Sequence, residues 1–407
     1  MLQSLIKKYF SGLTKNSVLL ACASLFSDIS TEMLYPILPI YLTQYLKANG
    51  SVVGIIEGIA QATQNIIQGF SGWLSDKLQR RKSIALVGYI LSAVSKPFIG
   101  IASSWPGVLA ARFTDRLGAG SRSAPRDALI AESVAPEHRG KAFGLEGVGD
   151  NLGAFLGPLI TVLLFFSLQF DIHYIFYLAI IPGLVAFFLI LLVKEKRTTT
   201  ATKTRGTNIN LHVRQFPREY WKYLLVTAIF GMGNSSNAFL ILEIREKGLS
   251  LLNTVLVYSF YNLVAALISY PAGSLSDKFG RKPVLLISFI IFFISYTGFA
   301  LGSNIYLLGF LFISYGLFQG IFRASGKSYA SDFVPKHLRA SGIGWYSTVV
   351  GLSGLIAGVV AGQLWDKVSH TSVFVYGAVL AFAGLTTLTI LVPNTLHHIN
   401  ERSKAVS

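Results

Sequence analysis

Two stretches of the sequence decide how the fold is organised: Gly72-Trp-Leu-Ser-Asp-Lys-Leu-Gln-Arg-Arg81 and Gly273-Ser-Leu-Ser-Asp-Lys-Phe-Gly-Arg-Lys282. Each is a short polar segment between two long apolar runs, and both carry the pattern Gly-x-Leu-Ser-Asp-Lys. Basic residues recur at the same distance after each copy, as Arg122 and Arg126 and then as Arg323 and Lys327. Matches in the same order and at the same spacing predict two similar halves in tandem.

The composition indicates a chain that lies within a lipid bilayer. Of its 407 residues, 52% are hydrophobic and 13% are charged, and the mean hydropathy is +0.55. A water-soluble domain carries roughly 25% charged residues, so this chain has too little polar surface for a soluble globule. Since about 20 apolar residues cross a bilayer as a helix, we predict twelve spans: 17–44, 51–73, 83–103, 105–131, 141–168, 172–194, 222–245, 251–275, 283–302, 304–331, 340–364 and 372–393.

Lysine and arginine residues are concentrated in alternate connecting segments. The formal net charge is +16, yet the opposite segments are nearly free of basic residues, as in Ser103-Ser-Trp-Pro106. The positive-inside rule therefore predicts that both termini lie in the cytoplasm. Because the basic residues are explained as orientation signals, we expect no nucleic-acid partner.

One long polar segment divides the chain near its middle. Residues 195–221 are rich in threonine and basic residues, which is typical of a linker. We therefore expect an N-terminal six-helix bundle over residues 1–194, a cytoplasmic linker over 195–221 and a C-terminal six-helix bundle over 222–407.

The repeated segments resemble the signature of the major facilitator superfamily, G-x-x-x-D-[RK]-x-G-[RK]-[RK]. The second copy matches it fully, whereas the first has Gln79 in place of the second glycine. The resemblance implies an all-α membrane protein with twelve transmembrane helices in two pseudo-symmetric six-helix bundles around a central cavity. It also implies that the motif residues form cytoplasmic gates, together with the basic residues of helices 4 and 10 named above: Gly72, Asp76, Lys77, Arg80, Arg81, Gly273, Asp277, Lys278, Gly280, Arg281 and Lys282.

Charged residues inside predicted spans are informative, because each costs a few kcal/mol at the bilayer centre. Helix 4 has a polar face that includes Asp115 and Arg116, and helices 1 and 5 contribute acidic residues at similar depths. We expect a proton-coupling cluster beside the cavity, made of Asp28, Glu32, Asp115, Arg116, Glu146 and Asp150. The alternative is a fixed ion pair between Arg116 and Asp150 that only sets helix packing.

The second half has few charges at mid-depth and offers amides and aromatic residues instead. We predict that neutral contacts to the substrate come from Asn234, Asn237, Tyr261, Asn262 and Gln319. The alternative for each amide is a hydrogen bond between helices.

Helix 5 carries Gly153, Gly157 and Pro158, which resemble a motif of proton-antiporting exporters without its trailing glycines. The alternative interpretation is a face of small residues for helix packing. The sequence thus predicts a secondary active transporter that exports a small solute in exchange for protons by alternating access. A proton-coupled importer or a uniporter of a small metabolite or metal chelate is the other possibility.

The remaining expectations follow from the same resemblance and from missing motifs. We expect a monomer in a bacterial inner (plasma) membrane, with the lipid bilayer and a small-molecule substrate as partners. The sequence has no Walker A motif and no Cys/His cluster. We therefore expect no enzyme activity, no cofactor and no metal site, with the proton as coupling ion.

Overall fold

The computed structural model describes residues 12–78, 80–135, 139–195, 216–334 and 339–393. All regular structure in these ranges is helical, and each predicted span coincides with one helix or with a helix broken into two. The helices are α1 (Lys15–Glu32), α2 (Leu38–Ile40), α3 (Gly50–Leu78), α4 (Arg81–Ile101), α5 (Trp105–Ser133), α6 (Arg139–Val162), α7 (Ile172–Leu178), α8 (Ile180–Leu192), α9 (Arg218–Gly233), α10 (Asn237–Glu246), α11 (Leu251–Phe279), α12 (Arg281–Leu301), α13 (Ile305–Asp332), α14 (Arg339–Lys367) and α15 (His370–Leu391).

Nine helical stretches within the described ranges are long and apolar enough to cross a bilayer. The other three predicted spans deviate for visible reasons. The first is broken between α1 and α2, and α3 and α5 are long but carry many polar or charged residues. A span with such side chains is tolerated where its polar face meets protein rather than lipid.

The first and seventh spans are broken at matching positions, which the hydropathy pattern did not indicate. The first is interrupted over residues 33–37, where Pro36 lacks an N–H group, and it ends in a π-helical turn, Tyr41–Tyr45. The seventh is interrupted over residues 234–236. There the Ser236 side chain accepts a hydrogen bond from the Ala238 backbone N–H and caps α10. Both breaks lie within predicted spans, so each divides a membrane helix into two shorter segments.

The chain folds into two compact units, Met1–Tyr35 with Ile67–Thr207, and Pro36–Ile66 with Asn208–Ser407. This division differs from the expected bundles in one stretch, because residues 36–66 lie in the second unit. Of the expected linker, residues 196–215 lie outside the described part of the chain, and α9 begins at Arg218, before the expected end of the linker.

In the first unit, small residues let helix backbones approach closely. A Cβ atom at Gly88 of α4 would lie 2.6 Å from the backbone oxygen of Gly118 in α5, and the converse distance is the same. Gly153 and Gly157 of α6 meet α1 in the same way. Close crossing brings the polar face of α5 against α4 and places α6 beside the acidic residues of α1.

In the second unit, the first part of α3 packs against α14 through glycines, which explains why residues 36–66 belong there. A Cβ atom at Gly358 would lie 2.5 Å from the backbone oxygen of Gly54 and 3.1 Å from the Cα atom of Gly58. At the end of this contact, the Asp366 carboxylate accepts hydrogen bonds of 2.7 Å from the backbone N–H groups of Gly50 and Ser51. We call this α3–α14 contact the glycine seam.

Candidate functional site

The first polar group of the first unit is centred on Asp115 of α5. Its Oδ1 atom accepts hydrogen bonds from the Ser92 hydroxyl at 2.6 Å and from Lys96 Nζ at 3.2 Å. Its Oδ2 atom lies 3.3 Å from Arg112 NH1 and 3.4 Å from Arg116 Nε. Lys96 and Asp115 are each only 2% exposed, so these charges are removed from both lipid and water. We call this group the Asp115 hub.

Lys96 is the member that our sequence reasoning missed. It lies in α4, and its ammonium group also donates hydrogen bonds to the Ser92 carbonyl at 3.0 Å and to the Ser92 hydroxyl at 3.1 Å. With Asp115, these partners use all three of its donors. The hub therefore fixes α4 against α5 as a structural element. A single lysine within an apolar run was the signal that could have revealed it.

The second polar group surrounds Arg126, which lies about three helical turns beyond Asp115 in α5. Arg126 NH2 lies 2.6 Å from Glu146 Oε1 of α6, and NH1 lies 3.7 Å from Asp150 Oδ1. NH1 also donates a hydrogen bond of 2.8 Å to the Ser24 hydroxyl of α1, which in turn donates one of 3.2 Å to Glu146. Arg126 thus connects three helices of the first unit.

The predicted cluster is therefore divided, because Arg116 pairs with Asp115 and Asp150 pairs with Arg126. The alternative interpretation, a fixed ion pair between Arg116 and Asp150, named the wrong arginine, because Asp150 lies beside Arg126. Counting rise along ideal helices placed Asp150 at the depth of Arg116, whereas α6 aligns it with a residue almost three turns further along α5. Arg126, expected at the cytoplasmic end of helix 4, belongs to the core of this site.

Asp28 and Glu32 of α1 face α6 beside these charges. The Asp28 Cβ atom would lie 2.8 Å from a Cβ atom at Gly153, and the Glu32 Cβ atom 2.9 Å from one at Gly157. The charged groups that act on the Asp28 carboxylate are those of Asp150, Arg122, Glu32 and Arg126. Asp127 also pairs with Arg126, its Oδ1 atom lying 3.1 Å from NH2, so five carboxylates and two guanidinium groups share this part of the unit. We call the group formed by Asp28, Glu32, Arg126, Glu146 and Asp150 the Arg126 cluster.

Two predicted features of the first unit have structural roles in addition to any functional one. Gly153 and Gly157 form the packing face on α1 that was the alternative interpretation of the helix 5 motif, and Pro158 lies within α6. Arg122 lies with its guanidinium carbon 4.8 Å from the centre of the Tyr89 ring, which is a cation–π contact.

Three of the predicted substrate residues of the second unit, Asn234, Asn237 and Tyr261, lie at or beside the break between α9 and α10. Asn237 donates a hydrogen bond of 3.0 Å to the Tyr261 hydroxyl, and the Tyr315 hydroxyl donates one of 3.1 Å to Asn234. The two tyrosine rings stack with centres 5.8 Å apart. Asn262 and Gln319 are half-buried on α11 and α13. The structure thus gives two of the amides the hydrogen bonds between helices that were the alternative interpretation.

The basic residues that end the two loop motifs or directly follow them make similar contacts in their own units, with a shift of one residue between the two copies. Arg81 pairs with Glu132, and Arg281 Nε lies 3.3 Å from Asp332 Oδ2. Lys82 donates a 2.7 Å hydrogen bond to the Leu191 carbonyl, and Lys282 donates one of 2.6 Å to the Val392 carbonyl. In each unit, therefore, the arginine holds the end of one helix and the lysine caps the end of another.

The other motif residues have more local surroundings. Lys77 and Lys278 lie against the rings of Trp73 and Phe279, and Gly280 adopts a φ of 97°, a conformation that favours glycine. The Asp76 and Asp277 side chains lie outside the described part of the structure. Arg80, Arg323 and Lys327 are exposed, and Gly72 approaches Ala124.

Comparisons with known proteins agree with this arrangement. A family model described as Major Facilitator Superfamily matches residues 20–260 and 223–406. An uncharacterized MFS-type transporter of Methanocaldococcus jannaschii is 36% identical over 386 residues, covering 93% of this chain and 95% of the relative. A quinolone resistance protein, NorA, of Staphylococcus aureus is 27% identical over 385 residues, covering 88% and 92%. The crystal structure of the nucleoside transporter NupG superimposes with a TM-score of 0.74 at 15% identity, covering 92% and 99%.

Proposed function

Since the chain belongs to the major facilitator superfamily, whose members are membrane transporters and not enzymes, we propose that it is a proton-coupled exporter of a small solute. It would act as a monomer in a bacterial inner membrane, with both termini in the cytoplasm. The single observation that carries the coupling is the Arg126 cluster, in which one guanidinium group lies between carboxylates of α6.

The geometry of the Arg126 cluster suits an exchange of protons. Arg126 lies 2.6 Å from Glu146 but 3.7 Å from Asp150, so the two carboxylates do not share it equally. Protonation of Glu146 would weaken its hold on Arg126 and shift the guanidinium group toward Asp150. Because Arg126 also binds Ser24 of α1, such a shift would be transmitted to a third helix. Asp28 lies where it could receive or deliver the proton.

Alternating access requires contacts that can separate between parts of the two sequence halves. The glycine seam has this character, because α3 comes from the first half of the sequence and α14 from the second. It is closed by backbone packing of glycines, by the Trp365 ring against Gly50 and by the hydrogen bonds of Asp366. We propose that the seam opens and closes during the transport cycle.

Export is favoured over import by the relative from Staphylococcus aureus, whose name describes quinolone resistance. The second candidate, uptake of an anionic metabolite or metal chelate, is favoured by the positive charge of the Asp115 hub, in which the Arg116 side chain, unlike those of Lys96 and Arg112, stays partly exposed. There, three cationic side chains meet one carboxylate. Arginine in such a setting suits carboxylate or phosphate groups.

A dye-efflux assay tests the proposal. Cells that express the chain are loaded with ethidium or a fluorescent quinolone, and efflux is followed with and without a proton uncoupler. We expect the uncoupler to stop efflux, and we expect Glu146→Gln and Asp150→Asn to remove this dependence or the efflux itself. Asp171→Asn is the matched control, because Asp171 caps α7 outside the spans and asparagine is an equally good cap.

Efflux that persists undiminished after full uncoupling contradicts proton coupling. A screen by thermal shift of the purified protein against metabolites, drugs and chelates, at pH 6 and pH 8, would then identify which class of solute binds. Stabilisation by anionic solutes alone would favour the uptake hypothesis.

A further inference from the structure

A buried carboxylate in the second unit takes no part in the site described above. Glu243 lies in the last turn of α10 and is 1% exposed. Its Oε2 atom has no hydrogen-bond partner. The nearest charged groups are Lys247 Nζ, 3.6 Å from Oε1, and His370 Nδ1, 3.7 Å from Oε2. A buried carboxylate without a hydrogen bond is costly, so a closer partner would stabilise it strongly.

His370 connects Glu243 to the end of the glycine seam. As the first residue of α15, its ring stacks on Trp365 of α14, with ring centres 3.9 Å apart and planes tilted by 12°. Trp365 in turn packs on α3, since a Cβ atom at Gly50 would lie 2.5 Å from Trp365 Cδ1. The carboxylate of the next residue, Asp366, accepts hydrogen bonds from the backbone N–H groups of Gly50 and Ser51. A movement of His370 would therefore be transmitted to Trp365 and Asp366, the residues of α14 that contact the start of α3.

Few other charged groups surround this pair. From α10 come Arg245, Glu246 and Lys247, and from α14 come Asp366 and Lys367. Three further helices contact α10. Of these, α2 contains no charged residue. The charged residues of α11 and α13 lie toward the C-terminal ends of those helices, away from Glu243. His370 is thus the ionisable group placed at Oε2, and Lys247 is the one placed at Oε1.

We propose that Glu243 and His370 form a proton-binding site that controls how firmly α3 is held in the glycine seam. The proposal rests on the seam opening during transport, as inferred above. When His370 is protonated, the imidazolium and the carboxylate attract each other, which draws His370 toward α10 and keeps Trp365 pressed on Gly50. When His370 loses its proton, Glu243 keeps only the half-exposed Lys247 as a charged partner. The attraction that holds Trp365 against Gly50 then weakens. Histidine is the side chain that changes charge between pH 5 and 8, so the seam is firmer at the lower end of this range.

Cysteine labelling tests the proposal without substrate or a proton gradient. In a chain that carries Cys22→Ala, Val53→Cys places a thiol in the first turns of α3, where Val53 is fully buried. A membrane-impermeant maleimide is applied to intact cells at pH 5.5 and pH 8. Thiols react faster at higher pH, so rates are divided by those of Ser303→Cys, an exposed position between α12 and α13 that we predict on the same side.

The normalised rate is expected to rise about threefold to fivefold from pH 5.5 to pH 8, the size of effect that a partly exposed ion pair supports. His370→Phe keeps a ring on Trp365 but removes the titrating group, and Glu243→Gln keeps the shape but removes the charge. Both should make the normalised rate independent of pH. A native rate that does not change with pH, or a pH dependence that survives in His370→Phe, overturns the proposal.

If one variant fails to reach the membrane, the other supplies the same comparison. The two hypotheses also fail differently. Loss of uncoupler-sensitive efflux with the pH dependence of labelling intact would count against the proposed function alone. A flat labelling profile with normal efflux would count only against the proton-binding site.

Discussion

Gly358→Ala probes the glycine seam most directly. The added Cβ atom would lie 2.5 Å from the Gly54 backbone oxygen and 3.1 Å from the Gly58 Cα atom. Ordinary van der Waals contact begins near 3.4 Å, and backbone atoms cannot turn aside as a side chain can. The two helices must therefore separate by several tenths of an ångström, which is overpacking of the kind that costs about 1–3 kcal/mol.

This cost applies only while the seam is closed, so it shifts the population toward the open form. At RT of about 0.59 kcal/mol, 1–3 kcal/mol corresponds to a change of roughly 5-fold to 150-fold in the ratio of open to closed molecules. The assay is maleimide labelling of Val53→Cys, which should become faster by a factor in this range until the open form predominates. Gly344→Ala is the matched control, because it lies on the same helix with no atom within 4 Å of the added Cβ.

Equal labelling rates for Gly358→Ala and Gly344→Ala would refute the reasoning. Such a result would mean either that α3 and α14 do not approach as closely as the structure describes, or that they never separate. A loss of thermal stability in Gly358→Ala without faster labelling would distinguish the second case. It would show that the contact is permanent.

Two further predictions concern individual side chains. Lys96→Met should destabilise the purified protein by about 1–3 kcal/mol in thermal denaturation, because it removes a buried donor from Asp115, which then keeps Arg112 and Arg116 as its charged partners; a variant as stable as the native chain would contradict the assigned role. The pKa of Asp171 is held below its usual value by the backbone N–H and side chain of His173, so its capping of α7 stabilises the protein at neutral pH and is lost as the pH falls through the lowered pKa. Asp171→Ala should thus lower the melting temperature more at pH 7 than at pH 3, and an equal effect at both values would exclude this cause.

Much of the fold could be predicted because the bilayer imposes long apolar helices. All twelve predicted spans coincide with helices. The contacts of Arg81 and Arg281 resemble each other, although the aligned motifs place Arg81 opposite Lys282. The breaks at residues 33–37 and 234–236 escaped prediction, because hydropathy averages over the few residues that interrupt a helix. The assignment of residues 36–66 to the second unit depends on glycine contacts far apart in sequence, which no local pattern reports.

The candidate site was predicted in its residue types but not in its pairing. Asp28, Glu146 and Asp150 do lie among arginines, yet the central arginine is Arg126 and not Arg116. Depth estimates assume that neighbouring helices begin at the same level, and an offset of a few turns exchanges one partner for another. Lys96 was missed because one lysine barely changes the hydropathy of an apolar run.

The Asp115 hub also constrains how the protein is made. Its four charges lie on two consecutive helices that leave the ribosome one after the other, and each charge alone would be expensive in hydrocarbon. The α4 segment reaches the insertion machinery with Lys96 uncompensated, and α5 follows with an excess of arginine. These segments should therefore enter the membrane together as a helical hairpin, with Asp115 offsetting part of the positive charge of its neighbours during biogenesis rather than after it.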